Sequence, residues 1–167
     1  MPGLQKQVAR LQRHMDDIAL GRRQELQAFL RRHASAEHPG APVTVLQTAR
    51  FLDANGKVAV QLDAAVVAGD TLYVGQWVMD QGLGEDAVAG MAAKVEQLRR
   101  VLTAGPSPDT AAALQGVSQL KLFLGGEAVR EGLTVEDLVE LAAEEGVSVV
   151  LRTGQSVVGG AVPAVDL

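Results

Sequence analysis

The chain has 167 residues, enough for one compact domain with an appendage. Hydrophobic residues make up 47%, which supports a sizeable core, while the 3% of aromatics predicts a core of Val, Leu and Ala and argues against stacking single-stranded bases on rings. The absence of Cys excludes disulfides and thiolate metal sites, and the net charge of -5 is split unevenly: residues 1–40 carry seven Lys or Arg against four Asp or Glu, residues 41–167 eight against sixteen, so the body repels phosphate.

Residues 4–33 read as one helix. Leu4, Val8, Leu11, Met15 and Ile18 are spaced four, three, four, three, an a/d seam two heptads long. The seam then fails at Arg22 and Glu25, and the apolar stripe restarts in another frame at Leu26, Phe29 and Leu30. Gly21 falls at the change of frame and is expected to loosen the helix there. One reading divides the labour: the first half pairs with a partner, as a homo-oligomer or with another protein, and the second half packs on its own domain. The other reading lays the whole amphipathic helix on its domain. The basic side chains of this helix, Lys6, Arg10, Arg13, Arg22, Arg23, Arg31 and Arg32, are expected to form a solvated face, with at most a weak nucleic-acid contact. His14, His33 and His38 fit no metal-ligand spacing and are expected to be exposed.

Residues 34–42 have the composition of a linker. Three strands follow, Val43–Leu52, Lys57–Val67 and Thr71–Met79, joined by an Asn55-Gly56 turn and an Ala68-Gly69-Asp70 turn. Connections this short make an antiparallel meander. Beyond Gly82 and Gly84, residues 85–102 carry a helical stripe, and residues 109–117 predict a short extra helix. Residues 119–124 read as a strand that leaves at Gly125-Gly126. Thr134 with Asp137 makes a partial capping box for a helix ending near Gly146, and residues 147–151 make a last strand. The tail, residues 153–167, is Gly- and Val-rich and weakly specified. The expected fold is α/β, with a mixed sheet in which the meander is followed by strand-helix-strand units, plus the long N-terminal helix. The domains are then 1–33, 34–152 and the tail 153–167. No apolar run reaches the roughly 18 residues of a membrane span, and no signal-peptide pattern opens the chain, so a cytoplasmic protein with no membrane partner is expected.

This element order, with Asp63 on the second strand and Gln76 and Val78 on the third, resembles the PD-(D/E)XK nuclease-like superfamily. The similarity covers roughly residues 20–152 and extends to uncharacterised prokaryotic members that place a coiled-coil-like helix before the nuclease-like domain; the hairpin at residues 51–57 is similar to theirs. It implies a restriction-endonuclease-like core in which Asp63 falls on the family aspartate, Gln76 on the glutamate and Val78 on the lysine. Gln61 falls where some members have a further acid.

In that family the acids hold Mg²⁺ or Mn²⁺, which polarises the phosphodiester and activates water, and the lysine stabilises developing charge. Gln76 keeps an oxygen without the charge, and Val78 can do neither job of a lysine. The resemblance therefore implies a catalytically inactive protein, with no cofactor expected, that acts through self-association or partner binding. Two alternatives stay open. One is a metal-dependent nuclease with a migrated site, drawing on Asp80, Lys94, Glu85 or Glu96, in which Asp63 would hold Mg²⁺ or Mn²⁺. The other is a non-catalytic nucleic-acid-binding module. Gly82-Leu83-Gly84 before a helix lacks the spacing of a phosphate loop.

Overall fold

The computed structural model describes residues 2–79, 82–152, 157–158 and 162–167. A single helix, α1 (Pro2–Glu37), opens the chain. Strands β1 (Val43–Val45), β2 (Arg50–Leu52), β3 (Val58–Gln61), β4 (Ala64–Ala68) and β5 (Thr71–Val78) follow, then helices α2 (Glu85–Ala104) and α3 (Pro108–Ala113). The remainder is β6 (Gln119–Gly126), α4 (Val135–Glu144), β7 (Val147–Leu151), β8 (Val157–Val158) and β9 (Val165–Asp166). The main sheet runs β1-β4-β5-β6-β7-β8, with β9 beside β6. It is mixed: β4 and β5 are antiparallel, while β5, β6 and β7 are parallel, joined through helices.

The sheet is covered on both faces. Leu26, Leu30 and Ala34 of α1 bury against Ala64, Val66, Tyr73, Trp77, Phe123 and Val150 on one face. Helices α2 and α4 cover the other through Val88, Met91, Val95, Leu98, Leu138 and Ala142. Alternation along β5 explains the partition: Leu72 and Val74 point to α2, Tyr73 and Trp77 to α1. Apart from Phe51, the α2 face has the expected aliphatic core. Four of the five aromatic residues, Phe29, Tyr73, Trp77 and Phe123, gather under α1, because its second half needs large side chains to fill the gap between a cylinder and a twisted sheet.

Several expected boundaries shift. The linker composition of residues 34–37 conceals the last turn of α1, where Ala34 is fully buried. The first two meander strands are each broken, between β1 and β2 and again at Leu62-Asp63 between β3 and β4. The outer half of the meander thus leaves the main sheet as a separate β2-β3 hairpin. It bends because Phe51 and Val60 bury in the α2-side core, and Thr110 Oγ1 accepts the Leu52 N–H at 3.0 Å. Gly125 and Gly126 belong to β6, which ends at Gly126, two residues later than expected. The Cβ of any larger residue would lie 2.5 Å from the Trp77 ring at Gly125 and 2.8 Å from Leu83 at Gly126. In the tail, Val157–Val158 pairs with β7 and Val165–Asp166 with β6, so these parts are tied to the sheet. The capping box of α4 forms in both directions between Thr134 and Asp137. No described helix is long and apolar enough to cross a membrane.

Candidate functional site

Two places carry the residues singled out in the sequence. The first is the corner where β3 gives way to β4. Pairing of β4 with β5 ends at Ala64 and Gly75, and there the Asp63 N–H donates to the Gly75 carbonyl at 3.0 Å. One step further along β5 the Trp77 N–H donates to Asp63 Oδ2 at 2.7 Å. The Asp63 carboxylate thus continues the ladder after the backbone has turned away, a structural duty that a buried strand edge requires.

Gln76 and Val78 share a parity and face α2. Lys94, on α2, reaches down to them: its Nζ donates to Gln76 Oε1 at 2.8 Å and to the Gln61 carbonyl at 3.0 Å. Burial lowers the pKa of Lys94, and the nearby Asp63 charge opposes that shift. The two do not reach ion-pair distance. Val78 is half-buried against the α2-side core. The structure therefore brings Asp63, Gln76, Val78 and Lys94 into one neighbourhood. Glu85 is exposed, and Glu96 is exposed and paired with Arg99 at 2.6 Å, so neither joins them. Asp80 lies outside the described residues.

The described part of this donor set does not by itself fit a divalent cation. Mg²⁺ favours several hard oxygens, usually more than one of them anionic. Among the described residues the corner offers one carboxylate, already accepting a backbone N–H, and one amide oxygen already held by an ammonium. Among the described residues, no three of His, Asp and Glu come together to hold a metal. The glycines at 82 and 84 serve packing: a Cβ at Gly82 would lie 2.7 Å from the Arg130 backbone, and one at Gly84 2.9 Å from the Arg130 side chain.

The second place is α1. Leu26, Leu30 and Ala34 anchor its C-terminal half. His33, expected to be exposed, lies instead within 5.1 Å of the Phe123 ring and 5.9 Å of Tyr73, centroid to centroid. Its Nε2 contacts Glu37, whose carboxylate also accepts from Lys121 Nζ at 2.7 Å. Burial lowers the His33 pKa; Glu37 opposes the shift and Lys121 adds to it. The Tyr73 phenol is raised well above its ordinary range, first by burial and then by Glu37. This polar clasp on α1 has no spacing signal, because Lys121 comes from a strand more than eighty residues away.

The N-terminal half of α1 has no such anchor. Leu4 is 62% exposed, Val8 58%, Leu11 64% and Met15 51%, and Ile18 is half-covered. Every residue from Gly3 to Asp17 is exposed. The reading in which the whole helix lies on its own domain is therefore overturned: contact begins near Ile18 and becomes firm at Arg22, whose Nε donates to Glu127 Oε1 at 2.7 Å. Gly21 does not interrupt the helix. No protein-family model, curated protein or solved structure matches the chain.

Proposed function

We propose that the chain is a non-catalytic protein of the PD-(D/E)XK nuclease-like fold that works by self-association, two copies pairing through residues 4–18 of α1. The element order and the Asp63, Gln76 and Val78 positions support the family reading. The uncharged Gln76 and the apolar Val78 at the family's glutamate and lysine positions support the non-catalytic reading. Lys94 favours the migrated-site alternative by its position, yet its ammonium is spent on Gln76 and the Gln61 carbonyl, and Asp63 is the one carboxylate that the described residues bring to it.

One observation carries the association reading: four of the five apolar residues of the heptad seam, Leu4, Val8, Leu11 and Met15, are more than half exposed, and the fifth, Ile18, is only half-covered by the described domain. The occupant that fits is a second copy of the chain. The positions flanking the seam are Gln5, Gln7, Gln12 and His14, while Lys6, Arg10, Arg13, Asp16 and Asp17 all fall on the outer positions. Two identical helices therefore meet without like charges across the seam. Full burial of such a side chain is worth about 1.5–3 kcal/mol, and about half of that remains for residues already half-covered. Five residues from each chain supply on the order of 10 kcal/mol, against an association cost of about 4–15 kcal/mol. The terms are close, so the dimer is concentration-dependent. Light scattering should show the mass rising from the 17.5 kDa of one chain towards twice that as concentration increases. A mass that stays at one chain at the highest concentration overturns the reading.

A further inference from the structure

We infer that the two α1 helices pair antiparallel, with Leu4 of one copy against the Met15–Ile18 turn of the other. The inference rests on the self-association reading and goes beyond it by fixing the direction. It follows from where the body of the protein stands relative to the seam.

An α-helix advances about 100° per residue, so the five seam positions lie within about 40° of one line along α1. Arg22 is about five full turns beyond Leu4 and falls on that same line. Its side chain is already held by Glu127, in the β6–α4 connection of its own chain. The residues that touch the sheet spread from about 20° on one side of the line (Phe29) through His33, Leu26 and Leu30 to about 120° on the other (Ala34), centred about 50° from it. The domain thus stands on the same side of α1 as the seam and covers it from residue 22 onward.

That placement decides the direction. Paired helices run with axes about 8–10 Å apart. In a parallel pair, the partner helix continues past Ile18 on the seam side, where this chain's own sheet and Glu127 already lie. Each body then collides with the other chain's helix unless α1 breaks, and α1 is continuous from Pro2 to Glu37. In an antiparallel pair, the partner helix ends where the body begins, and the partner's body lies beyond this chain's N-terminus. The seam from Leu4 to Ile18 is about 21 Å long, and both copies use all of it. The opposed helix dipoles also favour this arrangement over the parallel one.

The chain has no Cys, so disulfide trapping reads the direction directly. Leu4→Cys, Met15→Cys and Ile18→Cys are made singly, each on the free or half-free half of the helix. Under mild oxidation, Leu4→Cys mixed with Met15→Cys or Ile18→Cys should give a disulfide-linked dimer, and Leu4→Cys alone should give almost none. Efficient self-linking of Leu4→Cys, with no mixed product, means a parallel pair and overturns this inference while leaving self-association standing. A dimer by mass that yields neither product also overturns the antiparallel pairing. A protein that is monomeric at every concentration overturns both.

Discussion

An alanine at position 125 would place its methyl carbon 2.5 Å from Cε3 and 2.8 Å from Cζ3 of Trp77, a buried ring. Overpacking of this kind costs about 1–3 kcal/mol. Gly125→Ala should therefore lower the melting temperature by about 2–4 °C per kcal/mol lost, and an unchanged melt in calorimetry would contradict the packing described for β6. His33 makes a pH-dependent counterpart. Its folded-state pKa is depressed below the ordinary 6.5, mainly by burial, so the folded state takes up a proton less readily than the unfolded one. Its contribution is present above pH 6.5 and is lost as pH falls below that value. Melting curves across that window should fall less steeply for His33→Gln than for the unaltered chain, and equal slopes would count against a partly buried His33. Neither feature was legible from composition. Two adjacent glycines mark the end of β6, but nothing local shows that Trp77 leans across Gly125. A histidine in a polar helix looks solvated until the sheet beneath it is known. The common face of Gln76 and Val78 was legible, because strand parity is a local rule. Lys94 was legible as a candidate, but its bond to the Gln61 carbonyl depends on how β3 bends towards α2.

At the scale of elements, signals carried by neighbouring residues survived and those depending on distant packing did not. Thr134 and Asp137 form their capping box with both hydrogen bonds present, since both partners lie within one turn. The Asp53–Lys57 turn closes as expected, with Asp53 accepting from the N–H groups of Asn55 and Lys57 at 2.9 Å. The strand order of the meander was also readable from its short connections. The breaks at residues 46–49 and 62–63 were not, because the run of β-forming residues continues through both. What bends the hairpin is burial of Phe51 and Val60 against the α2-side core, a tertiary force without local periodicity. The ends of the tail pair with β6 and β7 for a similar reason: exposed strand edges recruit whatever chain lies near, whatever its propensity. The frame change in α1 was fully legible, and it marks the place where the helix passes from solvent to its own sheet.

The described chain is a three-layer α/β domain from which half a helix projects, with an acidic body and a polar corner at Asp63 closed by internal hydrogen bonds. Two outcomes follow at this scale. Purified protein with Mg²⁺ or Mn²⁺ should leave plasmid, linear and single-stranded DNA and RNA intact; cleavage that disappears in Asp63→Ala would restore the migrated-site alternative. The corner should also tolerate loss of Asp63 poorly in stability, because the Trp77 N–H would lose its acceptor, at a cost of about 1–3 kcal/mol. The central claim concerns α1, and the most direct test is light scattering on Leu11→Glu combined with Met15→Glu, read beside far-ultraviolet circular dichroism. Both side chains are more than half exposed, so the doubly substituted chain should keep its β signal and remain at the mass of one chain where the unaltered protein has become a dimer. A doubly substituted chain that still dimerises, or that unfolds, would contradict the account.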